Sequence, residues 1–104
     1  MRSLRFIVPI ACSLALIMSG SAYADKAAGQ SAYSAKGCIG CHGAAGKSTV
    51  PTYPSLAGQD ADFVRKNLID FRSGARKNPT MNAMAAGLSD VDIENLATYI
   101  DSLK

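Results

Sequence analysis

Cys38-Ile39-Gly40-Cys41-His42 is the stretch from which the rest of the chain is read. Two cysteines at i and i+3 stand one helical turn apart, so both thiols point to the same side. From there each can add across a vinyl group of one porphyrin. The histidine directly after the second cysteine can offer a ring nitrogen to the iron as proximal ligand. Behind an export signal, a Cys-x-x-Cys-His run reads as covalent attachment of c-type haem. The competing readings are a thiol redox pair, half of a zinc site, or chance. A structural zinc site takes four Cys or His ligands, and from residue 25 onward the chain has neither residue outside this run.

The first two dozen residues read as an address. Arg2 and Arg5 form a positive start, Phe6 to Met18 an apolar stretch, and Ala22-Tyr23-Ala24 a small-residue cleavage site. Pro9 interrupts the apolar run, which falls short of the ~18 residues expected of a membrane span. Residues 1–24 are therefore expected to be a cleaved signal peptide, and residues 25–104 a single exported domain in the periplasm. Cleavage after Ala22 and an uncleaved anchor are the alternatives. Cys12 lies inside the apolar stretch with too little hydrophobic sequence ahead of it for a lipoprotein signal.

The mature chain then carries two cysteines, Cys38 and Cys41, and a single histidine, His42. A domain of this size buries little surface by itself and commonly needs a staple or cofactor. A covalently held haem supplies an apolar plate around which short helices fold. Charge says less. The formal net charge of the whole chain is +3, and loss of Arg2 and Arg5 with the signal brings it close to neutral, which does not imply nucleic acid. Arg65, Lys66, Arg72, Arg76 and Lys77 lie mid-chain, whereas Asp90, Asp92, Glu94 and Asp101 lie near the end. Such a separation can orient a protein toward a partner. The simpler reading is a solvated helix face, with Asp62–Lys66 and Lys66–Asp70 at i, i+4. Arg76 and Lys77 have no such local partner and are the better docking candidates.

The patterning is all-α, with three main helices. The first spans about Lys26 to Lys36, with Gly29 and Tyr33 on one face, and runs through Gly37 into the motif. A loop from Gly43 to about Gln59 carries Gly43, Gly46, Pro51, Pro54 and Gly58, all turn or breaker residues. The second helix starts near Asp60, a favourable N-cap. It places Ala61, Val64, Leu68 and Phe71 at helical spacing, and Gly74 stops it. A basic turn leads to Asn78-Pro79-Thr80-Met81. Ser89 with Asp92 resembles a capping box for the last helix, whose apolar stripe is Ile93, Leu96, Ala97, Ile100 and Leu103. No run alternates as a strand would.

Haem iron has two axial positions, and their occupants decide between electron transfer and chemistry. The single histidine excludes a bis-histidine site. Methionine is the natural partner, because a polarizable thioether suits the iron and raises its potential. The mature chain offers Met81 and Met84. Met81 is preferred because it follows Pro79, where the chain leaves a loop and can turn a side chain inward. The other methionine is expected to pack nearby.

Taken together these residues resemble the class I c-type cytochromes, and within them cytochrome c-553 and single halves of the dihaem cytochrome c-4. The resemblance covers essentially all of the chain after the signal. It rests on the haem motif, on Tyr53-Pro54-Ser55-Leu56-Ala57-Gly58-Gln59, on Met81 seven residues before Leu88-Ser89-Asp90, and on Leu96-Ala97-Thr98-Tyr99-Ile100. It implies a small cytochrome c fold wrapped around one covalently bound haem c. It implies Cys38 and Cys41 as thioether anchors and His42 and Met81 as axial ligands. It also implies a Pro54 carbonyl that orients His42, and Leu96 and Tyr99 packed against Gly29 and Tyr33. One motif rather than two departs from cytochrome c-4 and implies a monohaem protein. The function implied is that of a soluble periplasmic one-electron carrier, not an enzyme, serving redox partner proteins, with no small-molecule substrate. A small cytochrome subunit of a dehydrogenase or terminal oxidase complex is the alternative. A monomer is expected, with a homodimer through exposed apolar residues as the other assembly.

Overall fold

A computed structural model describes residues 24–104. The signal-peptide reading of residues 1–24 lies outside them except for Ala24, and so does Cys12. Among the described residues there are five α-helices, one short 3-10 turn and no strand. They are α1 (Lys26–Ala35), α2 (Cys38–His42), α3 (Ala61–Ser73), α4 (Pro79–Ala86) and α5 (Asp90–Asp101), with the 3-10 turn at Ala44–Gly46. The three helices expected from periodicity are α1, α3 and α5. The motif forms its own single turn as α2. Helix α4 was expected only as a turn leading into Met81, and it is a helix because Asn78 caps it and Pro79 occupies its first turn. Proline is pre-organised there and has no N–H to lose.

Helices α1 and α5 cross at glycine. A Cβ on Gly29 would lie 2.0 Å from the Asn95 carbonyl oxygen and 2.7 Å from Tyr99 Cβ, so the α5 backbone occupies the space a side chain would need. One turn further along, the Tyr33 and Tyr99 rings meet with centroids 5.5 Å apart and planes tilted by 54°, a favoured aromatic geometry. Tyr33, Ile93 and Leu96 are the largest fully buried side chains. Val64 and Phe71 bring α3 onto the same core, with Leu68 and Ala61 half-buried beside them. All of the expected α5 stripe is buried except Leu103, which is half-buried against the core.

The caps show where local rules hold and where tertiary contacts replace them. Asp25 accepts from the Ala27 and Ala28 N–H groups at the start of α1. Ser89 and Asp92 form a reciprocal capping box on α5, worth roughly 1 kcal/mol, and the bonds from Ser89 hold the Asp92 carboxyl below its ordinary pKa. Asp60 sits at the N-cap of α3 but does not cap it. Its carboxylate pairs with Lys104 at 3.0 Å, and Asp101 of α5 accepts from the Ala61 N–H instead, at 2.9 Å. The start of α3 is thereby tied to the end of α5.

The charged segments likewise meet one another. Arg65 pairs with Glu94 at 2.8 Å and Arg72 with Asp90 at 2.7 Å, bridging α3 and α5. Lys66 pairs with Asp70 as expected, but Asp62 pairs with Arg65 rather than Lys66. Arg76 has local partners after all, because its guanidinium donates to Asn67 and stacks 4.7 Å from the Phe71 ring centroid. Much of the apparent charge separation is cancelled inside the fold.

The crossing at Gly29 yields a direct test. Alanine at this position improves helix propensity by up to ~1 kcal/mol, yet the collision with α5 is expected to make Gly29→Ala a net loss of about 2–3 kcal/mol. Denaturant unfolding of the haem-loaded protein measures it. An unchanged or increased stability would mean that the two helices do not approach this closely.

Candidate haem site

The site is assembled where α1 hands over to α2. Gly37, with φ +84°, breaks the helix, and the next residue begins the turn that carries the motif. Cys38 and Cys41 are free and half-buried, and they do not form a disulfide. Burial pushes the Cys38 thiol pKa up. His42 is 8% exposed, the one buried polar or charged side chain among the described residues apart from the tyrosines Tyr33 and Tyr99.

His42 Nδ1 lies 2.8 Å from the Pro54 carbonyl oxygen. A carbonyl can only accept, so Nδ1 must donate, and the lone pair of the neutral ring then belongs to Nε2. Among the described residues Nε2 has no hydrogen-bond partner. A buried imidazole nitrogen without a partner is costly unless something outside the polypeptide uses it. A lone-pair donor next to two thiols one turn apart fits a haem iron with two vinyl anchors, and no group of three or more His, Cys, Asp or Glu among the described residues offers a competing metal site.

Several ties hold Pro54 in place. The Gly46 carbonyl accepts from the N–H groups of Leu56 and Ala57, at 2.8 and 3.1 Å. Ser55 Oγ accepts from the Ser48 N–H at 3.0 Å. Gly58 N–H donates to the Ile100 carbonyl at 3.0 Å, fastening the loop to the end of α5. On the other side of the motif, the Tyr33 hydroxyl donates to the Gly43 carbonyl at 2.7 Å. Gly43 has φ +86°, and a Cβ there would lie 1.9 Å from the Lys47 carbonyl oxygen. Sequence reasoning placed Tyr33 in the core but missed its hydroxyl contact with the segment that leaves His42. A buried tyrosine needs a polar partner, but nothing in the sequence says which.

The two methionines both lie on α4, one turn apart. Met81 is half-buried and packs against the core. Met84 is 37% exposed, and its terminal methyl lies 3.2 Å from where a Cβ on Gly37 would be, so it reaches toward the entrance of the motif. Tyr53, Asn78 and Thr80, from the Pro54 loop and the start of α4, are all exposed.

The family model described as Cytochrome c matches residues 26–104, and the chain belongs to that family. It is 41% identical over 103 residues to the thiosulfate dehydrogenase electron acceptor of Stutzerimonas stutzeri, covering 91% of this chain and 47% of that protein. It is 40% identical over 81 residues to cytochrome c-554(548) of Halomonas halodenitrificans, covering 75% of this chain and 95% of that one. The solved structure of Acidithiobacillus ferrooxidans cytochrome c4 superposes with a TM-score of 0.71 at 28% identity, over 78% of this chain and 51% of that one. The chain thus spans about half the length of the first and third of these relatives. It has the cytochrome c fold and covalently bound haem c, in keeping with the resemblance to cytochromes c-553 and c-4.

The Tyr33 hydroxyl gives a pH-dependent test. Burial, the largest cause, pushes its pKa up to about 12, above the roughly 10 of an unfolded chain. A group with a raised folded pKa contributes stability that is complete below the unfolded value and lost as pH rises through the folded one. Stability is therefore expected to fall between about pH 10 and pH 12. Tyr33→Phe should cost about 1 kcal/mol at pH 7 and flatten that alkaline fall in urea titrations. Parallel alkaline losses in the two proteins would contradict the assignment.

Proposed function

We propose that this chain is a periplasmic one-electron carrier, exported by cleavage after Ala24, in which His42 and Met81 would be the two protein ligands of the haem iron. Cys38 and Cys41 anchor the porphyrin through thioethers, and Pro54 orients His42. The observation that carries the reading is the buried His42 ring, engaged through Nδ1 and without a partner at Nε2, beside two free thiols. When bound, the haem supplies the one-electron ferric–ferrous chemistry. The chain's own residues set its terms. Pro54 fixes the imidazole tautomer and strengthens ring-nitrogen donation. A thioether as the second ligand raises the potential. With His42 and Met81 both serving as ligands, the iron would have no coordination site for substrate, which favours a carrier over an enzyme.

Ile39, Val50, Tyr53 and Met84 are exposed apolar residues from the motif, the Pro54 loop and α4. They are the side chains expected to line the haem and its accessible edge, through which redox partner proteins exchange electrons. Near-neutral net charge after signal removal gives no support for nucleic acid as a partner. No helix among the described residues is long and apolar enough to cross a membrane. A monomer is the assembly proposed.

A second reading has a specific observation behind it. One relative is named as the electron acceptor of thiosulfate dehydrogenase. By analogy this chain can serve as the cytochrome partner or subunit of a dehydrogenase. Co-purification of a stoichiometric partner from native periplasm and inner membrane distinguishes a complex subunit from a free carrier.

The ligand assignment is tested by the far-red sulfur-to-iron absorption of the oxidised protein. Met81→Ala is expected to abolish the band and lower the reduction potential, whereas Met84→Ala should keep both. The reverse pattern would hand the iron to Met84.

A further inference from the structure

We propose that Asn82 is the positioning residue that holds Met81 in place for the iron, by clamping α4 to the end of α3. This rests on Met81 being the axial ligand. Asn82 Nδ2 donates to the carbonyls of Phe71, at 2.8 Å, and Arg76, at 2.9 Å. Its Oδ1 accepts from the Asn78 N–H at 3.0 Å. Both amide protons and the amide oxygen are thus in use. Asn78 in turn accepts from the Met81 N–H at 3.0 Å, so the residue after the methionine and the cap before it form one closed polar hook.

Each bond has a structural task. Phe71 lies in the last turn of α3, where helix carbonyls lack partners from within the helix. Arg76 lies in the connection between the helices, and Asn78 begins α4. Gly74 ends α3 and Asn78 caps α4; the Asn82 side chain ties that end, the connection and that cap together. Hydrophobic packing cannot substitute for it, because α4 buries only Ala85 fully, with Met81 half-buried beside the core. Helix α3, by contrast, is seated in the core through Val64 and Phe71. The far end of α4 is held separately, by Arg72 donating to the Leu88 carbonyl at 3.1 Å. Between these two ties the position of Met81 is set chiefly by the Asn82 amide.

Without the hook, α4 can swing and release the sulfur from the iron. Aspartate keeps the shape and the acceptor but has no proton to donate, so the Phe71 carbonyl keeps only the Gly74 N–H, at 3.3 Å, and both the Phe71 and Arg76 carbonyls meet a negative charge. Alanine removes all three bonds.

The test is imidazole binding to the oxidised, haem-loaded protein. Imidazole takes the axial position only when the methionine has left, so its apparent affinity scales with the open fraction. Asn82→Ala and Asn82→Asp are expected to bind imidazole at least about tenfold more tightly than the parent and to show a weakened far-red band. Asn95→Ala is the control. It removes the acceptor of the Asp25 N–H, a bond between α5 and the start of α1 that does not involve α4, and should leave imidazole affinity unchanged even where thermal stability falls as much. Should Asn82→Ala not accumulate as folded protein, Asn82→Ser, which keeps a small polar group, is measured against the same control. Imidazole affinities for the Asn82 variants equal to the parent or to Asn95→Ala would overturn the proposal. Met81→Ala separates the two claims. If it abolishes the band while the Asn82 variants bind as the parent does, only the role of Asn82 fails. If the band survives in Met81→Ala, the ligand assignment fails and the proposal with it.

Discussion

The imidazole of His42 is nearly buried, and the group it meets at Nδ1 is the Pro54 carbonyl, which can only accept a hydrogen bond. That single contact decides which ring nitrogen is free, and so what the motif can do. The contact is itself a product of the fold. Pro54 is held by backbone bonds to Gly46 and by the link from Gly58 to Ile100 at the end of α5. The α5 helix is held in turn by its crossing with α1 at Gly29, and α1 delivers the chain to Cys38. The site is a loop closed on itself: the helix that begins the motif and the helix that anchors its histidine's partner are packed against each other.

Polar ties do much of the positioning because a chain this small has little apolar surface to do it with. The α3–α5 pair is bridged by Arg65–Glu94 and Arg72–Asp90 and closed at its end by Asp101 and Lys104. The ion pairs are partly exposed and individually weak. Their value lies in geometry, since they fix how α3 sits on α5 and hence where α4 begins. The methionine-bearing helix buries only Ala85 fully, which is why an amide hook rather than a hydrophobic face governs it.

The haem motif, the three principal helices, the Ser89–Asp92 cap and the α1–α5 crossing were all legible in the sequence. Each follows from spacing, local capping or a resemblance carried by specific residues. Helix α4 was less so, although Asn78 and Pro79 are ordinary helix-start residues. Met81 to Ala86 are apolar except for Asn82, so no stripe marks one face, and the run is short. Asp60 looked like a cap and occupies the cap position, but Lys104, distant in sequence, takes its carboxylate while Asp101 takes over its task. Arg76 seemed unpaired because its partners, Asn67 and the Phe71 ring, are not acidic and do not register in a search for ion pairs. Apart from α4, what stayed hidden was a contact between residues far apart in the chain or of an unexpected chemical type.

The most direct test of the account is the intact mass of the protein, produced with a cytochrome-maturation apparatus and fully unfolded before measurement. A chain beginning at Asp25 and heavier by one haem, with no thiol open to alkylation at Cys38 or Cys41, is the predicted result. A chain of bare polypeptide mass, with both cysteines taking up alkylating reagent, would contradict it.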